Sequence, residues 1–322
     1  MDTIKKWQWN IAKLTRDFKS YTIESKSHVA TVAIIDSGID CYHPDLKNNI
    51  LNLGKSFISH DPSLLDFTGH GTLIAGVITS TGLSKGISNN IKIAPYKVLD
   101  SNGGDSKNII EAIKQAVIDG HKVINISSGT YLSSSIESDK SLIKGYKEAV
   151  NFALSKNTII VASSGNHYSS EYTKNNIYYY PACLKGVISV GALDKENKVT
   201  EYSKNNISTD LYAPGGSWGP DYYKNGCIDY RYLILSTFPT YLSTYLAPKN
   251  SLPSGYEFSL GSSLAAAQIS ATVSLLIDQY YAIHQDYPTQ SYVKRILIES
   301  SSNTLIVNTF DCLKYLRKLN GL

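Results

Sequence analysis

Five short apolar runs limit what this chain can fold into more than any other feature. Thr31-Val32-Ala33-Ile34-Ile35-Asp36, Ile91 to Leu99, Val123-Ile124-Asn125-Ile126-Ser127, Thr158 to Ala162 and Gly186 to Leu193 all read as buried strands. Segments of helical period lie between them, such as Ser106 to Asp119, with Ile109, Ile110, Ile113 and Val117 on one face, and Leu142 to Leu154. Strands alternating with helices imply an α/β fold, a mostly parallel central sheet with helices on both faces and right-handed crossovers. Such sheets bind ligands beyond the carboxyl ends of their strands, and Asp36, Gly103 and Ser127 all follow strands. The 322 residues suffice for one large domain without requiring a second.

Three stretches carry chemistry. The first strand runs into Asp36-Ser37-Gly38. Asp66-Phe67-Thr68-Gly69-His70-Gly71-Thr72 sets a glycine-flanked histidine at the start of a small-residue helix. Glu257-Phe258-Ser259-Leu260-Gly261-Ser262-Ser263-Leu264-Ala265-Ala266-Ala267 joins a Gly-Ser-Ser turn to a run that becomes apolar and helical. Alone, Gly-Ser-Ser is a helix cap. With the other two it completes an acid, an imidazole and a hydroxyl. In such a set the acid fixes the histidine tautomer, the histidine takes the hydroxyl proton, and the serine attacks a carbonyl.

In the order Asp, His, Ser, these motifs resemble those of the subtilisin-like serine peptidases, the subtilases. The third departs from the usual Gly-Thr-Ser-Met-Ala-Ala-Pro, with Ser262 for threonine, Leu264 for methionine and Ala267 for proline. The resemblance implies a subtilisin-like three-layer sandwich, with Ser263 as nucleophile, His70 as general base and then acid, and Asp36 as the orienting carboxylate. Ser163-Ser164-Gly165-Asn166 resembles the family's Ala-Gly-Asn, so Asn166 is expected to hold the oxyanion together with the Ser263 backbone N–H. Ser127, Ser128 and Gly129 stand where family members pair with the substrate backbone and add it as a strand, and Gly103 and Gly104 lie in the stretch that forms one wall of the family's substrate groove.

Tyr179 falls at the family position on the floor of the pocket for the residue before the cut, where a bulky neutral ring implies a small uncharged residue. Pro181 matches a family proline that is usually cis. Residues 1–27, with Trp7-Gln8-Trp9-Asn10, resemble the arm that packs on a mature catalytic domain, which here spans residues 28–322 including carboxyl-terminal helices. The family usually carries an amino-terminal pro-segment; either this member folds unaided or that segment is missing from the sequence. Asp45, in His43-Pro44-Asp45-Leu46, sits where many relatives place a calcium ligand. The partner loop from Ile78 to Gly86 is short and poor in Asn and Asp, so no family-type calcium site is expected.

Gln290 to Ser300 is expected to be helical with Thr289 as its cap, and Leu313 to Leu319 to be a short basic helix with a solvated face. Gly216 to Tyr232 and Thr240 to Tyr256 are longer loops than compact subtilases carry, and their composition suits either substrate selection or inert surface. His28, His43, His60, His121, His167 and His284 lack a partner motif and read as surface or core residues.

A net charge of +4 is too slight to argue for nucleic acid. Cys41, Cys183, Cys227 and Cys312 show neither close pairing nor C-x-x-C, which favours free thiols and no metal. No apolar run opens the sequence as a signal peptide does, and none approaches the roughly 18 apolar residues of a membrane span. The expectation is therefore a cytoplasmic monomer without a cofactor; the sequence of a trimmed secreted protein would look the same. Val123-Ile124-Asn125-Ile126-Ser127 and Ala213-Pro214-Gly215-Gly216-Ser217 look most like the lantibiotic leader peptidases, which implies a precursor leader as the peptide partner. A general intracellular degradative subtilase and a peptide-binding pseudopeptidase are the alternatives.

Overall fold

The computed structural model describes residues 6–166, 176–204, 208–301 and 304–322; His167 lies outside them. Thirteen strands occur among these residues: β1 (Val32–Asp36), β2 (Lys55–Ser56), β3 (Ile93–Lys97), β4 (Leu99–Asp100), β5 (Gly103–Gly104), β6 (Val123–Ile126), β7 (Thr130–Leu132), β8 (Ile159–Ser163), β9 (Tyr178–Tyr180), β10 (Val187–Leu193), β11 (Leu211–Pro214), β12 (Ile234–Thr237) and β13 (Tyr256–Ser259). The principal helices are α1 (Trp9–Thr15), α2 (His70–Thr79), α3 (Ser106–Ile118), α4 (Glu137–Ser155), α5 (Ser262–His284), α6 (Gln290–Glu299) and α7 (Thr309–Leu319).

Seven strands form one sheet in the order β11-β10-β8-β6-β1-β3-β2, and every pairing within it is parallel. Val32 of β1 lies opposite Ile93 on one side and Val123 on the other. Alternate residues face opposite layers, and both faces are dry. Val32, Ile34, Ile93, Val123, Ile159 and Val161 join the core shared with α2 and α5. Ala33, Ile35, Ala94, Tyr96, Ile124 and Ile160 join the one shared with α3 and α4. Covered faces are why these strands read as continuous apolar runs rather than as alternating ones. The residues of α5 from Ser262 to Gln279 are all buried, which suits a helix made of small and apolar residues on every side.

The arm packs where its tryptophans direct it. The Trp9 indole donates to the Leu233 carbonyl at 3.0 Å, and Trp7 meets Phe258 edge-on. Asp105 caps α3 by accepting from the Lys107 N–H, Thr289 caps α6, and the Tyr180–Pro181 bond is cis.

Two helices start earlier than their apolar spacing predicts. The first turn of α4 carries Glu137 and Asp139, which suit the helix dipole but show no apolar face. Helix α7 begins at Thr309, capped by Asn308, and buries Cys312, Leu313 and Leu316, while its last turn carries Arg317 and Lys318.

The long loops are braced. In residues 216–232, Ser217 N–H donates to the Tyr232 carbonyl and Asp229 N–H to that of Trp218. In the other, the Glu257 carboxylate accepts from the backbone N–H groups of Tyr245, Leu246 and Ala247. No helix among the described residues is long and apolar enough to cross a membrane.

Candidate active site

Strand β1 delivers Asp36, fully buried, to the carboxyl edge of the sheet. One of its oxygens, Oδ1, lies 2.7 Å from His70 Nδ1 and accepts the Ser37 N–H at 2.8 Å. An ionised carboxylate only accepts, so Nδ1 carries the proton and Nε2 is left as the basic nitrogen. Burial alone would lower the His70 pKa; the charges of Asp36 and Asp66 outweigh it and hold the pKa above the ordinary imidazole value.

The turn into α2 fixes the ring. Gly69 has φ 92°, a left-handed conformation, and a Cβ there would overlap the Phe238 ring. Asp66, fully buried, accepts from the Thr68 and Gly69 N–H groups, the Thr72 N–H and hydroxyl, and the Ser37 hydroxyl at 2.9 Å. Ser37 Oγ in turn accepts the Gly71 N–H at 3.0 Å. Sequence reasoning passed over both residues, although an aspartate before a Thr-Gly turn and a helix is a capping signal.

Ser263 is the second residue of α5, near the positive end of the helix dipole. Its hydroxyl donates to the Ser127 carbonyl at 3.1 Å, and no hydrogen bond joins it to His70 among the described residues. The structure therefore couples Asp36 to His70 directly and ties Ser263 to the residue after β6.

Asn166, beyond β8, has its amide oxygen engaged twice, by the Ser262 N–H at 2.8 Å and the Ser262 hydroxyl at 2.8 Å. That hydroxyl also lies 3.1 Å from the Gly165 carbonyl. The orientation leaves the two N–H bonds of Nδ2 directed away from these partners, beside Gly261. Ser262 is thus an orienting residue that the sequence showed only as a preserved hydroxyl.

Ser127, Ser128, Gly129 and Tyr179 come together. The Ser127 carbonyl meets Ser263, and the buried Ser128 hydroxyl has no hydrogen-bond partner among the described residues. A Cβ on Gly129 would run into the Tyr180 carbonyl and the Tyr179 ring. Tyr179 pairs with Tyr131 across the antiparallel β7–β9 ladder, with ring centres 4.8 Å apart. Burial raises the Tyr179 pKa above its ordinary value, so the ring is neutral. Gly103 and Gly104 form the exposed strand β5 of a separate hairpin, tied to β7 through the Ser106–Thr130 hydroxyl contact of 2.7 Å.

The Asp45 carboxylate is surrounded by protein donors, the Tyr256 hydroxyl at 2.8 Å and the Ser84 N–H at 3.1 Å. Among the described residues no group of three or more His, Cys, Asp or Glu side chains could hold a metal ion, and all four cysteines are free. His43, His60 and His284 are engaged with the Gly255 carbonyl, Asp100 and Asn320, respectively. Buried His121 contacts Thr31 at 2.7 Å, and burial lowers its pKa to about 4.

The arrangement holds an imidazole by its Nδ1 against a buried carboxylate and sets a serine hydroxyl in the first turn of a buried helix. Comparison with known proteins agrees with it. The family model described as the subtilase family, Peptidase_S8, matches residues 27–312. The nisin leader peptide-processing serine protease NisP of Lactococcus lactis subsp. lactis is 29% identical, over 98% of this chain and 49% of its own length. The epidermin leader peptide-processing serine protease EpiP of Staphylococcus epidermidis is 30% identical, over 85% of this chain and 65% of its own. The chain thus spans between about half and two thirds of these curated relatives. A crystal structure described as a lanthipeptide protease superposes with a TM-score of 0.89 at 36% identity, covering 98% of this chain and 96% of that one.

Proposed function

Because this chain belongs to the subtilase family, we propose that it is a serine endopeptidase that removes the leader from a lantibiotic precursor, with a small uncharged residue before the cut. The observation that carries the chemistry is the Asp36–His70 pair at 2.7 Å, with Ser263 in the first turn of α5 and Asn166 held by its amide oxygen to the neighbouring Ser262. In the proposed reaction the Ser263 hydroxyl leaves the Ser127 carbonyl and gives its proton to His70 Nε2 as Oγ bonds to the substrate carbonyl carbon. Asn166 Nδ2 and the Ser263 N–H stabilise the oxyanion. His70 then protonates the departing amine as the C–N bond breaks, and water releases the acyl group by the reverse sequence.

The leader reading is supported by likeness to proteases that process nisin and epidermin leaders, extending over most of this chain. The small-residue reading is supported by Tyr179, whose ring lies against the places where side chains on Gly129 and Gly165 would stand. We read the partner as a peptide and the enzyme as a monomer.

The test is a diversified peptide library with cut sites read by mass spectrometry, with Ser263→Ala as control. A narrow motif reaching several residues before the bond, ending in a small residue, is the expected result. Broad cutting would instead make it a degradative enzyme. No cutting, together with no fluorophosphonate labelling of Ser263, would overturn the peptidase reading.

A further inference from the structure

The long loop of residues 240–256 reaches back to the turn that carries His70. Near its start, Tyr241 uses its hydroxyl twice on one residue. It accepts the Asp66 N–H at 3.1 Å and donates to the Asp66 carbonyl at 3.0 Å. Burial, with the charges of Asp40 and Asp66 adding to it, holds the Tyr241 pKa above its ordinary value, so the hydroxyl keeps the proton it donates. Thr240, beside it, gives its N–H at 2.9 Å and its hydroxyl at 2.8 Å to one oxygen of buried Asp40.

These bonds close a circuit. The Asp66 carboxylate accepts the Thr72 hydroxyl at 2.8 Å, and Thr72 Oγ1 accepts the Asp40 N–H at 3.0 Å. Asp40 accepts from Thr240, and the neighbouring Tyr241 returns to Asp66. His70 lies in the chain between Asp66 and Thr72, and Asp36 stands shortly before Asp40. The loop therefore fastens together the two segments whose side chains meet as the Asp36–His70 pair.

The loop is itself held at both ends and in its middle. The Gly255 carbonyl accepts the Phe238 N–H at 2.7 Å and lies 2.8 Å from His43 Nε2, while the Glu257 carboxylate gathers the N–H groups of Tyr245, Leu246 and Ala247. An anchored loop can fix a turn in place, whereas a loose one would follow it. We propose that Tyr241 is a positioning residue for His70, its hydroxyl holding the Asp66 turn, and through it the imidazole, against Asp36. The loop then serves the chemistry without touching the peptide. This rests on the peptidase reading above.

Tyr241→Phe tests it, because it removes the hydroxyl and keeps the ring, which is 43% exposed and lies against Phe67 with centres 6.0 Å apart. On one peptide cut by the wild-type enzyme, kcat is expected to fall about tenfold, within the loss that a small misplacement of a catalytic group causes, with KM little changed. Fluorophosphonate labelling of Ser263 should slow in parallel, while the melting temperature holds. Tyr245→Phe takes a hydroxyl from the same loop, at a residue 72% exposed, and should match the wild type in each measurement. Wild-type kcat in Tyr241→Phe, a raised KM at unchanged kcat, or an equal loss in Tyr245→Phe would overturn the proposal. So would a lowered kcat that comes with a lowered melting temperature, since the loss would then be one of folding. Failure of the wild-type protein to cut any peptide would instead sink the peptidase reading, and the role of Tyr241 with it.

Discussion

Ser262 does more than its size suggests, because both its N–H and its hydroxyl reach one oxygen of Asn166. Replacing Asn166 by alanine should cost on the order of 100- to 1000-fold in kcat, the scale of a lost oxyanion donor. Ser262→Ala leaves the donor but frees its orientation, and should cost about tenfold in kcat with KM little changed, since a neutral hydrogen bond contributes on the order of 1 kcal/mol. Ser262→Thr should restore the rate; steady-state kinetics on one peptide separates these outcomes. The raised His70 pKa sets the acid side of the rate profile. Activity requires neutral imidazole, so kcat/KM should fall as pH drops through a value above the usual imidazole range. Asp66→Asn removes one of the charges raising that pKa and should move the midpoint down. At this scale the acid, histidine and serine were legible because each sits in a motif of fixed residue types. Asp66 and Ser37 were not, since their importance comes from a hydrogen bond between residues distant in the chain, and spacing alone does not reveal one.

Among the elements, α5 has two ends of different character. Its start holds Ser263, the proposed nucleophile. Near its far end buried Asp278 accepts the Val29 and Ala30 N–H groups at 2.8 and 2.9 Å, docking the segment that leads into β1. Burial dominates there, with the nearby Glu24 adding to it, and the pKa is pushed up to about 7. A carboxyl raised on folding adds stability that is fully present below its unfolded value, near 4, and lost as pH rises through about 7. Asp278→Asn keeps an accepting oxygen without the charge. Urea unfolding at several pH values should show the wild type losing a few kcal/mol relative to this variant between about pH 4 and 7; parallel curves would reject the assignment. The central strands and α3 were readable from apolar runs and helical period. The antiparallel pairs β4–β5, β7–β9 and β12–β13 were not, because strands of two to four residues leave no periodic trace.

For the whole molecule, the layers followed from the alternation of strands and helices, whereas the sheet order could not, since right-handed crossovers permit more than one arrangement. The long loop of residues 216–232 has a composition suited equally to substrate selection and to inert surface, and the backbone bonds of Ser217 and Asp229 that brace it were not legible in that composition. All four thiols are free, so thermal stability and peptide hydrolysis should both be unchanged by millimolar dithiothreitol. A drop in melting temperature on reduction would contradict this.

The central position of β1 bears on how a peptidase of the kind proposed would survive its own activity. Val32 finds its partners at Ile93 and Val123, so the middle of the sheet closes only after long stretches of chain have been brought together. Such non-local pairing makes folding slow. If the same contacts must separate together before the chain opens, unfolding is slow as well, and a neighbouring copy seldom meets an extended strand to cut. Resistance to self-digestion would then be a rate property of the sheet's wiring, set by the barrier to opening rather than by any one bond.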